Sequence, residues 1–248
     1  MRSLIIAFSM YSRIPMPGCE WDEQGMKYSM CFFPLVGVVL GMCSAGVYFG
    51  LGALKFGGIS RALVLAVVPI LVTGGIHMDG YLDTIDAKSS WKSMEEKLQI
   101  LKDPHMGAFA CIYGIVYLLL SAAFWSEVGA GEIFSVAMGY IFSRILSALS
   151  VVTFRKAKME GMAAASANAS SGLVRWILIL ELAACGAVMS AVCPLYGLVS
   201  LAVGACCFGW YRHMAYKNFG GITGDLAGYF LQVCELAVLV GIVLVAKL

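Results

Sequence analysis

Seven apolar segments, each about 16 to 25 residues long, occupy most of this 248-residue chain and restrict the folds open to it. A helix of about 20 apolar residues is long enough to cross a lipid bilayer. Apolar residues make up 60% of the sequence, charged residues make up 13%, and the mean hydropathy is +0.86, far from the balance of a soluble domain. The segments are residues 30–54, 61–76, 108–125, 133–154, 173–193, 195–211 and 226–246. We therefore predict an all-α, polytopic membrane helix bundle of about seven transmembrane helices, a single integral membrane domain over residues 1–248 in contact with the lipid bilayer.

The basic residues are distributed unevenly across the predicted membrane. Of the 17 Lys and Arg residues, Lys55, Arg61 and Lys247 fall on one side and Arg144 lies within a segment. The remainder fall on the other side: Arg2, Arg13, Lys27, Lys88, Lys92, Lys97, Lys102, Arg155, Lys156, Lys158, Arg175, Arg212 and Lys217. Basic residues are enriched in cytoplasmic loops, so we expect a multi-pass protein of the cell (plasma or inner) membrane with a cytoplasmic N-terminus. The polar loops at about residues 77–107, 154–172 and 212–225 then also face the cytoplasm.

Composition also argues against several classes of protein. The net charge of +2 is small, and no basic run with interleaved aromatic residues is present, so we expect no nucleic-acid partner. The nine cysteines include no CxxC pair, and most lie inside apolar segments. This pattern predicts neither a disulfide framework nor a zinc site.

The stretch GGIHMDGYLDTID, residues 74–86, ends the second apolar segment with three aspartates. In a helix, Asp79, Asp83 and Asp86 would lie within an arc of roughly 60° on one face, because each residue advances about 100°. Oxygen ligands crowded on one face favour a hard cation such as Mg²⁺. The alternative is a solvated acidic first turn after a membrane helix. Gly74 and Gly75 would either break the helix and so aim the carboxylates or only allow tight helix packing.

Other polar residues lie near the predicted membrane surface or within the membrane. Arg144, in the middle of the fourth segment, is costly to bury and therefore needs a partner or a polar cavity. We expect it to bind a phosphate, and the alternative is a structural role. Arg13 lies in an N-terminal surface segment and would contact a phosphate or act only as an interfacial anchor.

Two further motifs flank apolar segments. Lys102 and Asp103 precede the third segment, where they would form an exposed ion pair or contact phosphate or metal. In GGITGD, residues 220–225, Thr223 and Asp225 would either help a glycine-rich turn bind phosphate or serve as a helix N-cap. Ser93 and Glu96 have the spacing of a capping box for a short surface helix.

Taken together, these motifs identify a family resemblance. The stretches GGIHMDGYLDTIDA, LKDPHMGAFA and GGITGD, with the N-terminal FSMYSRIPMP, resemble the cobalamin synthase family, the adenosylcobinamide-GDP ribazoletransferases. The matches follow the family's order from about residue 8 to residue 235. The resemblance implies a Mg²⁺-dependent membrane transferase that joins α-ribazole, or α-ribazole 5'-phosphate, to adenosylcobinamide-GDP and releases GMP in the last stage of cobalamin biosynthesis.

The resemblance also implies roles for individual residues. Asp79, Asp83 and Asp86 would act in catalysis as ligands of Mg²⁺, and either one of these aspartates or His77 beside them would accept the proton. Among the expected substrate-binding residues, Lys102, Asp103, Thr223 and Asp225 match the family's motifs. Arg13 and Arg144 join this set from their own placement and chemistry. Where the family commonly has serine and arginine, this chain has Pro104 and His105. If the family's arginine binds phosphate, this chain lacks that contact.

Two other classes of protein share some of these features. A CDP-alcohol phosphotransferase also begins its site with an Asp-Gly motif, but its later aspartates have no counterpart in this chain. A cation or proton transporter would use Glu181, Glu235 and Arg144, but it would be expected to show related halves, and no internal repeat is visible. The sequence leaves open the lower-ligand base and the oligomeric state, including a homo-oligomer.

Overall fold

The computed structural model describes residues 1–157 and 172–248 of the chain. These residues form eleven α-helices and no strand; their only β-type pairing is an isolated parallel bridge between Lys156 and Ile222. The helices are α1 (Arg2–Tyr11), α2 (Glu23–Lys27), α3 (Ser29–Ala53), α4 (Gly58–Thr73), α5 (Ile76–Ser89), α6 (Met94–Ile100), α7 (Ala108–Trp125), α8 (Ile133–Thr153), α9 (Gly172–Val192), α10 (Pro194–Phe219) and α11 (Gly224–Ala246).

Within the described residues, six helices are long and apolar enough to cross a membrane, namely α3, α7, α8, α9, α10 and α11. The pair α4 and α5 adds a seventh if the two are counted as one bent span. The predicted all-α membrane bundle is thus confirmed. The main boundary error is at α10, which continues to Phe219 rather than ending at residue 211. Its last turns carry basic residues, and a search for apolar segments stops at such residues even where the helix goes on.

The chain bends by 98° between α4 and α5. Gly74 and Gly75 both adopt left-handed backbone conformations, with φ of 67° and 81°, which glycine enters without steric cost. The two glycines therefore break the helix, as one of the two sequence interpretations predicted. Because α5 lies beside the starts of α7 and α11, we treat it as a helix at the membrane surface, outside the spans.

The bundle is built around close contacts of α3 with α8 and of α11 with its neighbours α5, α8 and α10. At Gly37 of α3, a methyl group would lie 2.6 Å from the carbonyl oxygen of Tyr140 in α8. Small residues that let helix backbones touch are characteristic of membrane bundles, in which packing rather than apolar burial drives association.

A buried ion pair joins α8 to α11. Arg144 is 1% exposed, and its Nη1 donates to Glu235 Oε1 at 2.7 Å and to the carbonyl oxygen of Tyr140 at 2.9 Å. Ser143 donates to the same carboxylate oxygen at 3.3 Å. The sequence interpretation gave Arg144 to a substrate phosphate, whereas the structure pairs it with a carboxylate inside the bundle. We therefore leave Arg144 out of the candidate substrate site.

One end of the bundle carries most of the polar motifs. It includes the C-terminal end of α8, the beginnings of α7 and α11, helix α5 and the short helix α6. The predicted capping box of α6 is confirmed, with the Glu96 amide donating to Ser93 Oγ and the Ser93 amide donating to the Glu96 carboxylate. The acidic stretch and the GGITGD segment thus lie at the same end, as the sequence predicted.

Candidate functional site

Two glycines allow α5 and α11 to touch. A methyl group on Gly80 of α5 would lie 2.7 Å from the carbonyl oxygen of Asp225, and one on Gly228 of α11 would lie 3.1 Å from that of His77. No larger residue fits at Gly80 unless the backbones move apart. This contact places Asp225, at the start of α11, beside the acidic face of α5.

Four carboxylates gather where these helices meet, and we call Asp79, Asp83, Asp86 and Asp225 the carboxylate cluster. Asp79 is exposed, and the other three are partly buried. Burial, and then the negative charges of Asp79, Asp225 and Asp86, raise the pKa of Asp83 to about 7. A group of carboxylates that repel one another is stabilised either by protons or by a cation.

Asp86 differs from the other aspartates in having backbone partners. Its Oδ2 accepts from the Gly107 amide at 2.6 Å, and its Oδ1 accepts from the Ala110 amide at 2.9 Å. These amides are at the start of α7, where a helix has N–H groups without intrahelical partners and favours a negative charge. Asp86 therefore caps α7 from a neighbouring helix.

The arrangement of the cluster bears on the predicted Mg²⁺ site. In residues 1–157 and 172–248, no three His, Cys, Asp or Glu side chains are positioned to hold one metal ion. Mg²⁺ is commonly bound by one or two carboxylates together with substrate phosphates and water, rather than by a protein cage. Within the described part of the chain, the carboxylates of Asp79 and Asp83 accept no hydrogen bond, and the pKa of Asp83 is raised by burial and by its neighbours; both properties fit that kind of open site.

His77 precedes Asp79 by two residues in α5, so it lies on the opposite face of the helix and is buried behind the cluster. Its side chain is packed edge-on to Phe33, with ring centroids 5.7 Å apart, and stacked 6.1 Å from Tyr11. Burial, and then the charge of Arg144, lower the pKa of His77 to about 3, so the imidazole is neutral at pH 7. Its Nε2 has no hydrogen-bond partner among the described residues.

A cavity of about 140 Å³ lies beside His77 and is bounded by α1, α3, α5, α8 and α11. Asp79 and Asp225 line it together with His77, so the cavity adjoins the carboxylate cluster. We call this space the His77 cavity.

Three of the predicted substrate-binding residues, Arg13, Lys102 and Asp103, are exposed to solvent. The Arg13 side chain is exposed and packs on Gly74, and its amide donates to the carbonyl oxygen of Val72 at 2.8 Å. Lys102 is exposed in the turn before α7. In the same turn Asp103 accepts from both the amide and Nδ1 of His105, at 3.0 and 2.7 Å. The structure thus places Arg13 beside the helix break and leaves Lys102 and Asp103 in an exposed turn.

Thr223 caps α11, because its Oγ1 accepts from the Leu226 amide at 3.2 Å. The capping interpretation of this motif is therefore correct for Thr223. The segment before it is held by the chain that follows α8, where the Ile222 amide donates to the carbonyl oxygen of Arg155 and the Ala157 amide donates to that of Ile222. The rest of the predicted basic loop, residues 158–171, lies outside the described residues.

Four residues of this region were not identified from the sequence as part of the site: Gly80, Gly228, Tyr11 and Phe33. The two glycines lie inside helical patterns, where each costs about 1 kcal/mol relative to alanine, and that cost is a usable signal of a close backbone contact. The two aromatic residues carry no comparable signal, because aromatic residues are common throughout apolar helices.

The chain is similar to proteins of one family over nearly its whole length. The family described as Cobalamin-5-phosphate synthase matches residues 3–243. An adenosylcobinamide-GDP ribazoletransferase of Lachnoclostridium phytofermentans is 45% identical over 95% of this chain and 91% of its own length. Proteins of the same name from Clostridium botulinum and Roseiflexus are 31% and 28% identical over 95% of this chain and 94% and 87% of their own lengths. No solved structure matches the chain. With a family match over nearly its whole length, the chain belongs to the Cobalamin-5-phosphate synthase family.

Proposed function

We propose that this chain joins α-ribazole, or α-ribazole 5'-phosphate, to adenosylcobinamide-GDP and releases GMP, and that the reaction takes place at the carboxylate cluster with Mg²⁺. The observation that carries the assignment of the site is the contact between α5 and α11, which gathers four carboxylates next to a cavity. The family and the names of the relatives support the reaction.

The bond changes follow from the two substrates. A ribose hydroxyl oxygen of the acceptor bonds to the phosphorus nearest the cobinamide, and the bond from that phosphorus to the departing GMP oxygen breaks. The attacking hydroxyl is not the 5' one, because that oxygen already carries the phosphate in α-ribazole 5'-phosphate. The proton of the hydroxyl passes to the oxygen of Asp79 that does not bind the ion; Asp79 belongs to the cluster and also lines the His77 cavity.

Asp79 and Asp83 are our proposed Mg²⁺ ligands. When bound, the ion would neutralise phosphate oxygens and stabilise the departing GMP. Asp225 faces the same cluster, and its charge raises the pKa of Asp83. We do not propose Asp86 as a ligand, although the sequence suggested it, because both of its carboxylate oxygens accept backbone hydrogen bonds from the start of α7.

Two basic side chains at the same end of the bundle would position the phosphates. Arg13 lies beside the break that precedes α5, and Lys102 lies in the turn before α7. Both are exposed, so they can meet a diphosphate in solution. A guanidinium suits bidentate contacts with phosphate, whereas a lysine contributes a point charge.

The orientation of the bundle is part of the proposal. The excess of basic residues at the end that carries the carboxylate cluster favours a cytoplasmic active site in the cell membrane. Nucleotide substrates would then be taken directly from the cytoplasm.

Substitution of Asp83 tests the proposed site. Asp83→Asn removes a charge from the cluster with little change in shape, and we expect turnover to fall at least a thousandfold while membrane insertion and thermal stability are retained. The control is Glu132→Gln at the other end of the bundle, where the carboxylate accepts a hydrogen bond from Tyr196. Turnover of folded Asp83→Asn close to that of the unmodified protein would exclude the role proposed for Asp83.

A further inference from the structure

The His77 cavity is lined mainly by apolar residues, and its polar lining residues are Tyr11, His77, Asp79, Ser147 and Asp225. Met30, Phe33, Val151 and Leu231 supply much of its lining, and Asp79 and Asp225 border it on the side of the carboxylate cluster. A molecule that fills the cavity therefore has an apolar part among the helices and reaches the carboxylates with its other end. Its volume, about 140 Å³, is close to that of an engineered apolar cavity of about 150 Å³ that binds benzene.

His77 lines this cavity and has one ring nitrogen, Nε2, that is enclosed beside it without a hydrogen-bond partner among the described residues. The side chain is only 4% exposed, and Nε2 has no partner in the described part of the chain. Leaving a buried polar atom without a partner costs about 1 to 3 kcal/mol, so such an atom beside a cavity points to a ligand. Phe33 and Tyr11 pack on the His77 ring, and Gly228 contacts the backbone of His77, so the ring has a fixed place at the edge of the cavity.

The parts of the two substrates differ in how well they match this lining. The corrinoid is far larger than the cavity, and the phosphates are excluded by the neighbouring carboxylates unless a cation lies between them. Guanine carries several donors and acceptors, and burying them without partners is costly. A bicyclic benzimidazole-type base is flat and apolar and has a single free ring nitrogen.

We propose that the His77 cavity binds the heterocyclic base of the acceptor nucleoside, with His77 Nε2 hydrogen-bonded to the free ring nitrogen of that base. This inference rests on the proposed function. It makes His77 a substrate-binding residue rather than the proton acceptor, and it directs the ribose of the acceptor toward Asp79.

Two substitutions test the inference in the full-length, detergent-solubilised protein. Ala148→Leu adds three carbons to a residue that lines the cavity, and His77→Phe keeps a ring but removes the nitrogen. The matched control is Ala184→Leu, on an exposed face of α9. The measurements are equilibrium binding of α-ribazole in the presence of chelator and the KM of each substrate.

We expect both cavity variants to weaken α-ribazole binding at least tenfold, to raise the KM for α-ribazole correspondingly and to leave the KM for adenosylcobinamide-GDP within twofold. Ala184→Leu should change none of these values. Unchanged α-ribazole binding in either folded cavity variant would overturn the inference. A raised KM for adenosylcobinamide-GDP instead would place guanine in the cavity, and a loss of kcat alone in His77→Phe would return His77 to proton transfer.

The outcomes also separate this inference from the proposed function. If the unmodified protein forms no cobalamin from both substrates, the proposed function fails. If it does form cobalamin but the cavity variants bind α-ribazole normally, only the assignment of the cavity fails. Should Ala148→Leu not fold, as judged by its thermal unfolding, His77→Phe decides the question.

Discussion

At the scale of single residues, the aspartates of α5 have different surroundings although the sequence presents them as equivalent. Asp83 lies among other carboxylates, which together with burial raise its pKa to about 7. Asp86 instead accepts two amide hydrogen bonds from the start of α7. Their spacing predicts a shared helix face correctly. The spacing does not show which aspartate accepts hydrogen bonds from a neighbouring helix, because the amides that bind Asp86 belong to residues more than 20 positions away.

This difference leads to a prediction for Asp86. We expect Asp86→Ala to destabilise the protein by about 0.5 to 2 kcal/mol, the usual cost of losing a helix N-cap. Asp86→Asn should weaken Mg²⁺ binding less than Asp83→Asn does. Thermal unfolding in detergent and Mg²⁺ titration calorimetry measure the two effects. If Asp86→Asn loses Mg²⁺ as completely as Asp83→Asn while its unfolding temperature is unchanged, Asp86 is a ligand rather than a cap.

At the scale of helices, the site depends on how closely α5 and α11 approach. The break at Gly74 and Gly75 was one of two sequence interpretations, and it is supported locally because paired glycines readily adopt positive φ. The contact at Gly80 could not be inferred in the same way, since its partner Asp225 lies far along the chain. A glycine inside a helix indicates that another backbone lies close to it, but the sequence does not show which helix that is.

We predict that Gly80→Ala disrupts the site. The added methyl group would lie 2.7 Å from the carbonyl oxygen of Asp225, so α5 and α11 must separate. Overpacking of this kind costs about 1 to 3 kcal/mol, and the carboxylate cluster would open at the same time. Turnover should fall at least tenfold, with a lower unfolding temperature.

Gly46→Ala is the matched control for this experiment. Gly46 is exposed in α3, and a methyl group there meets no heavy atom within 4 Å. Its turnover should be unchanged. If Gly80→Ala keeps full turnover and stability, the contact between the helices is looser than the structure implies.

At the scale of the whole molecule, the charged residues fall into two groups. The Arg144–Glu235 pair is buried inside the helix bundle, whereas the carboxylate cluster lies at one end of the bundle. Membership of the Cobalamin-5-phosphate synthase family argues against a CDP-alcohol phosphotransferase. The transporter interpretation used Arg144 and Glu235 as transport residues, whereas the structure pairs them with each other inside the bundle. The sequence predicted that a buried arginine needs a partner. It could not identify that partner, because Glu235 is 91 residues away.

Breaking this pair should destabilise the bundle. We expect Glu235→Gln to lower stability by about 3 to 5 kcal/mol, because it leaves a buried arginine without its carboxylate. The double variant Arg144→Met with Glu235→Leu should be closer to the unmodified protein. Glu127→Gln, which removes an exposed pair with Lys247, serves as the control and should have little effect. A Glu235→Gln variant more stable than the double variant would contradict a structural role for the pair.

The most direct test of the whole account is the release of GMP by purified protein supplied with adenosylcobinamide-GDP and α-ribazole, with Mg²⁺ and then with chelator. We predict that GMP is released in the presence of Mg²⁺, in equal amount to the cobalamin formed, and that chelator stops both. GMP release that continues unchanged in chelator would contradict the proposed metal site. No release by folded protein would contradict the reaction itself.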